Sequence, residues 1–387
     1  MVTVRLCRRP PRGTMTSIIT FREEASHNRS MTSRGHQSEL HGCLTRIIQR
    51  LPPAAFSFVM ATGIVAVAAR RLQLNLIDQA FFTIAAAGYV VLLTMLLLKL
   101  AFFPKEVVGD FKNPQKAPGF FTLVAGTSVI GVGLIKIVSM PQTALILWYF
   151  ASILYSLLIY AFLLSLITKA DREGLLTAVN GTWLLLVVGL QSISVLATTL
   201  HGSGFLLDLQ IPISCFLIGI SMYMFVLFLV IGRILFLQIE PEQLIPPYWI
   251  MMGAAAISTL AGSELTLACR LQSPPISYLP FLEGTTVSIW TVAVSWIPLL
   301  LCLGIWRHGL KRVKLSYEIG LWSIVFPLGM LAASSHSLSK SQHLPWLATV
   351  LPYMFLTAAV AWSLVALRFL LSFIPNRTMK VEPGAGK

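Results

Sequence analysis

From about residue 52 to residue 372 the chain alternates between apolar runs of roughly 20 residues and short polar breaks. A helix rises 1.5 Å per residue, so a run of about 20 covers the roughly 30 Å hydrocarbon core of a bilayer. Ten membrane helices are predicted, near 52–70, 78–103, 119–139, 143–167, 179–200, 211–237, 246–269, 284–306, 315–337 and 345–372. Odd-numbered runs open with Pro or Gly, then an aromatic, then a glycine: "PPAAFSFVMATG", "PGFFTLVAGT", "NGTWLLLVVG", "PPYWIMMG" and "IGLWSIVFPLG". Their starts lie 67, 60, 67 and 69 residues apart, the regularity of five helical hairpins sharing one core. Even-numbered runs, such as "YVVLLTMLLLKL", "LYSLLIYAFLLSL" and "MYMFVLFLVIG", are Leu-rich and aromatic with few small or polar residues. That pattern predicts contact with lipid.

At mid-depth the odd runs instead carry Thr62 and Gly63; Gly126, Thr127 and Ser128; Gly189, Gln191 and Ser192; Ser258, Thr259 and Gly262; then Phe326, Pro327 and Gly329. On a single helix such residues are explained by close packing of backbones. Repeated at one depth on five helices that enclose an axis, they point to a central polar pathway. No Arg, Lys, His or Asp stands in this layer, so an anion would meet the hydroxyls of Thr62, Thr127, Ser192, Ser258 and Thr259, the Gln191 amide and helix dipoles at breaks. Such weak sites favour passage over tight capture, and favour anions that shed water easily.

Pro327 has no N–H to offer the carbonyl of Ser323, which predicts a kink beginning near Phe326. A freed carbonyl is tolerated at membrane depth where it lines a cavity, so the break should face inward. Phe326, at the midpoint of 315–337, is then either a ring turned to the axis or a packing aromatic, and the residues alone leave both open. Toward the outer ends of the inner runs the acid is Glu264, on the seventh, with Lys136 at the corresponding depth of the third. Pairing of Glu264 with Lys136 or Arg270 at an outer rim is the expectation, and a coupling or vestibule role is the alternative.

Composition fixes the class. Hydrophobic residues make up 56% of the 387 and charged ones only 11%, against roughly 25% charged in soluble domains. The net charge of +14 follows from the basic bias of cytoplasmic loops and does not call for nucleic acid. Leaving out the N-terminal tail, Lys and Arg divide 15 to 5 in favour of the side bearing both termini, which predicts both termini in the cytoplasm. The basic run "RHGLKRVK" at 307–314 belongs to that side and fits contact with acidic lipid or the gathering of anions. Residues 1–50 read as a polar, Arg-rich, disordered tail, 51–372 as the membrane domain and 373–387 as a short second tail. No secretory h-region precedes the first run; an organelle transit reading and starts at Met15 or Met31 stand as alternatives. Cys7, Cys43, Cys215, Cys269 and Cys302 show no ligand or disulfide spacing, and His336 and His343 are expected in water beyond the ninth helix. No HExxH is present and no Asp, His or Cys cluster shares one depth, so a membrane-embedded enzyme has no obvious chemistry and no cofactor is implied.

The starts of the odd runs, taken with "DFKNPQKAPGFFTLVAG" and "LWSIVFPLGM", resemble the tellurite-resistance/dicarboxylate transporter family, which includes plant guard-cell slow anion channels and fungal malate and sulfite transporters. The resemblance covers roughly residues 50–372. It implies an all-α fold of ten transmembrane helices, five hairpins in a ring, a homotrimer in a plasma or bacterial inner membrane, and one pore per protomer. By the motif "WSIVFPLG" it implies that Phe326 closes that pore, with Pro327 and Gly329 bending the backbone. The expected cargo is a C4-dicarboxylate such as malate or a small inorganic anion; proton-coupled transport of dicarboxylate, sulfite or tellurite is the alternative. One departure is that only the ninth run has a mid-depth proline, so kinks elsewhere would fall to Gly63, Gly126, Gly189 and Gly262.

Overall fold

The computed structural model describes residues 45–169, 173–205, 207–272 and 277–372. The tail through residue 44, with Cys7, Cys43, Met15 and Met31, and the segment from 373 onward lie outside the described residues. Residues 45–49, the end of the tail, are helical. Among the described residues ten helices are long and apolar enough to cross a membrane: α1 (Pro53–Arg71), α2 (Asn75–Phe102), α3 (Ala117–Val138), α4 (Pro141–Ile167), α5 (Gly181–His201), α6 (Gln210–Phe236), α7 (Pro246–Arg270), α8 (Leu279–Leu310), α9 (Ile319–Ser341) and α10 (Pro345–Leu371). The protein is an all-α polytopic membrane protein, and no strand occurs among the described residues. The ninth helix starts at 319 rather than 315, because the polar "KRVKLSYE" stretch before it is not helical. The midpoint of α9 is therefore Met330, and Phe326 sits one turn closer to the N-terminal end.

The two sets of helices differ as their sequences predict. Over their most apolar stretches the odd helices are 72–100% buried and the even ones 17–33%. Each odd helix packs against the next odd one, and α9 packs against α1, so the contacts among the five close on themselves. Each even helix lies against the odd helices before and after it.

The repeated opening motif has a structural meaning. Every odd helix begins with a 3-10 turn: Pro53–Phe56, Ala117–Phe120, Gly181–Leu184, Pro246–Trp249 and Ile319–Leu321. These turns pack on one another in the same cyclic order as the helices they start. Proline at N1 or N2 supplies the required φ and spends no N–H that the helix would need. Glycine appears where backbones touch: a Cβ on Gly119 would stand 2.9 Å from the amide nitrogen of Ala54, and one on Gly181 would run into the carbonyl of Pro247.

A second repeat, unforeseen in the sequence, ties the two sets together. Tyr89, Tyr155, Tyr223, Trp290 and Trp362, one on each even helix, reach the following odd helix. The Tyr89 hydroxyl pairs with Thr127 Oγ1 at 2.9 Å, Tyr155 donates to the carbonyl of Leu186 at 3.2 Å, and Tyr223 to that of Met251 at 3.1 Å. Trp290 Nε1 donates to Ser335 Oγ at 3.0 Å, and Trp362 Nε1 to Thr62 Oγ1 at 2.9 Å, which brings α10 back to α1. The "lipid-facing" even runs thus each turn a hydrogen-bonding aromatic inward, where its O–H or indole N–H finds a partner on the next odd helix.

Beyond the spans, the short helix Pro104–Lys112 is held to the end of α2 by Asp110, whose carboxylate meets Lys99 Nζ at 2.7 Å and Lys116 Nζ at 3.1 Å. Burial pushes the Asp110 carboxyl up, but the hydrogen bonds and charges of the two lysines outweigh it and hold it below the usual carboxylate range.

Candidate functional site

The feature common to all five odd helices is a small void to which each of them contributes. It is lined by Ile64 and Val67 of α1, Ser128, Val129 and Val132 of α3, Ser192 and Val195 of α5, Ile257 and Leu260 of α7, and Met330 of α9. Its volume is about 20 Å³, room for about one water molecule. The two serines add little polarity, since Ser128 Oγ donates to the Val124 carbonyl at 3.0 Å and Ser192 Oγ to that of Gly189 at 2.7 Å. The void is small and its lining almost wholly apolar.

Toward the N-terminal ends, one turn back along the same helix faces, come Met60, Val124, Val188, Gly253 and Phe326. All are buried, Phe326 to 1% exposure. The ring of Phe326 lies beside Gly253: a Cβ there would stand 3.5 Å from Phe326 Cδ1 and 2.8 Å from Pro327 Cγ. A glycine on α7 thus makes room for the Phe326–Pro327 corner of α9. Helical structure continues through Pro327 to Ser341.

Toward the C-terminal ends, one turn beyond Val67 and Leu260 on the same faces, stand Arg71 and Glu264. Arg71 Nη2 meets Glu264 Oε1 at 2.9 Å, and Ser337 Oγ of α9 donates to the same oxygen at 2.6 Å. Arg71 Nη1 in turn donates to Ser337 Oγ. The partner of Glu264 is therefore Arg71, not Lys136 or Arg270. Arg270 is taken by Glu283 at 2.6 Å, while Lys136 contributes its charge nearby and its carbonyl accepts from Arg70 Nε at 3.1 Å. Arg71 was legible only as one more basic residue on the outer side; its spacing of seven from Ile64 is the signal that places it over the void. His336 lies within the last turns of α9 and is half-buried, so of the two histidines only His343 is in a loop.

The remaining expected pathway residues are engaged between helices. Thr62 accepts from Trp362, Thr127 meets Tyr89, and Gln191 Nε2 donates to the Phe216 carbonyl of α6 at 3.1 Å. Ser258 and Thr259 donate to the carbonyls of Ala254 and Ala255 within α7, at 2.8 and 2.9 Å. The glycines admit neighbours: Gly63 faces Val129, Gly126 faces Val59, Gly189 faces Tyr155, Gly262 faces Thr286 and Phe216, and Gly329 faces Ile64. Of the expected layer only Ser128 and Ser192 border the void. Among the described residues no three His, Cys, Asp or Glu side chains come together in a way that could hold a metal ion.

Comparison with known proteins agrees with this architecture. The family described as voltage-dependent anion channel (SLAC1) matches residues 50–370. The uncharacterized membrane protein Rv1735c of Mycobacterium tuberculosis is 35% identical over 138 residues, 35% of this chain and 68% of its own. The uncharacterized transporter MJ0762 of Methanocaldococcus jannaschii is 24% identical over 302 residues, 76% of this chain and 86% of its own, and MJ0576 of the same organism matches at 24% over 303 residues.

Proposed function

From the voltage-dependent anion channel (SLAC1) family, to which this chain belongs, we propose that its five odd helices ring a pathway for small anions and that the conformation described is the closed one. Members of this family are channels and transporters, not enzymes. The observation that carries the reading is the void to which all five odd helices contribute, with the buried Phe326 ring one turn to its N-terminal side. A passage with room for about one water passes no dicarboxylate, so conduction requires the Phe326 and Met330 side chains to swing aside. The cargo is a small inorganic anion or a C4-dicarboxylate of the malate type. With both termini cytoplasmic, the five helix N-termini and their positive dipole ends face the cell interior, where they draw anions toward the inner mouth. The mostly exposed even helices supply the surface for lipid and for the homotrimer expected of such a fold.

The test is anion-replacement electrophysiology on wild type and Phe326→Ala. The variant is expected to carry anion current at least about tenfold above wild type; a current no larger than wild type removes Phe326 as the closing residue. Reversal potentials that follow the anion gradient alone support a channel, and values displaced by a pH gradient support proton coupling.

A further inference from the structure

The Arg71–Glu264–Ser337 cluster draws together three of the five inner helices at the C-terminal mouth of the void. Without Glu264 its polar groups are a guanidinium and a hydroxyl, the donor set that binds carboxylates and oxoanions. Arg71 joins α1 to α7 through Nη2 and to α9 through Nη1, and Nη2 and Ser337 Oγ both donate to a single carboxylate oxygen, Glu264 Oε1. Its Nε–H is buried and has no acceptor. A buried guanidinium N–H without a partner is costly, so the cluster has donor capacity that the one oxygen it binds does not use. The surrounding charges have the same sense. Lys136 of α3 also acts on Glu264, so two cations, Arg71 and Lys136, bear on one carboxylate, and His336 of α9 lies within reach of the charges of Arg71, Glu264 and Lys340. Arg70, beside them, is directed away to Asn75 and Asp78 of α2.

We infer that Arg71 and Ser337 form an anion-binding site for carboxylate or oxoanion groups at the outer mouth of the pathway, and that the Glu264 carboxylate is a tethered occupant which an arriving anion displaces. Occupied by Glu264, the site fastens α1, α7 and α9 together over the void. Occupied by a free anion, it holds the ion one turn from Val67 and Leu260 and releases α7 from the other two helices. The position of the site on the route rests on the proposed anion pathway; its binding chemistry does not.

The probe is acetate, which carries the same reactive group as the glutamate side chain. In detergent, Glu264→Ala is expected to gain a saturable rise in Tm of roughly 2–4 °C with acetate. Wild type should show none, and Arg71→Gln/Glu264→Ala should lose the effect. Glu264→Gln, which keeps the shape of the side chain, guards against misfolding and in proteoliposomes should raise anion influx at low external concentration about tenfold. A folded Glu264→Ala protein whose Tm responds to acetate no more than wild type overturns the site. Acetate binding without any change of influx in Glu264→Gln overturns its place on the route. Wild-type vesicles that pass no anion under any gradient would instead sink the pathway reading, and the acetate titration would still stand on its own.

Discussion

At the scale of single residues, glycine and aromatic side chains decide how closely the helices approach. Gly253 is the clearest case, because the atom its Cβ would meet at 2.8 Å belongs to the stiff ring of Pro327 and not to a flexible side-chain end. Gly253→Val is expected to cost about 1–3 kcal/mol by overpacking, read as a lower unfolding temperature in detergent. Gly284 on α8 has nothing within 4 Å, so Gly284→Ala should not lower it and serves as the control. The sequence marks both positions only as glycine in an apolar run. What separates them is the neighbour, and the neighbour of Gly253 is about 74 residues away along the chain.

At the scale of elements, the hairpin repeat was legible and its hydrogen bonding was not. The starts of the odd helices, at 53, 117, 181, 246 and 319, repeat every 64 or 65 residues until the longer basic connection before α9. The polar aromatics of the even helices follow a similar spacing, 66, 68, 67 and 72 residues from Tyr89 through Tyr155, Tyr223 and Trp290 to Trp362. A Tyr in a Leu-rich helix reads as an interfacial or lipid-facing residue when its partner lies on another helix. Only docking against the next odd helix gives its hydroxyl an acceptor. For Trp362→Phe the expected loss is about 0.6–1.7 kcal/mol. Thermal unfolding of Trp362→Phe, Thr62→Val and the double variant should show costs that do not add, since each single change already removes the 2.9 Å bond. Additive costs would show that the bond contributes nothing to the closure of α10 on α1.

At the scale of the whole molecule, the void carries no fixed charge along its length while cations gather beyond its C-terminal end. In the proposed pathway the local balance attracts anions, but nothing along the void replaces their hydration. Selectivity should therefore follow ease of dehydration. In bi-ionic reversal-potential measurements, nitrate and thiocyanate should be more permeant than chloride. An order favouring the most strongly hydrated ions would require a polar binding layer that these side chains do not provide. The expected layer of Thr62, Thr127, Gln191, Ser258 and Thr259 is present in the sequence at one depth, yet each side chain spends a polar atom on its own or a neighbouring helix, and only Gln191 Oε1 is left without a partner. In hydrocarbon a hydroxyl takes the nearest carbonyl, and depth along a helix does not say which way a side chain turns.

The sequence by itself determined that this chain crosses a membrane ten times, that its odd helices form the interior, and that the crossings come as five related hairpins. Each of these is set by quantities local to the chain: the length of an apolar run, the small and polar residues within it, and a motif that recurs with a fixed period. The tertiary structure alone decided which polar groups face the axis and which are spent between helices, and that Glu264 meets Arg71. Those partners are separated by 193 residues and lie on helices that touch neither in sequence nor in hairpin order. Rotation of a helix about its own axis is fixed by what packs against it, and for these helices the packing is complete only when the last of the ten returns to the first.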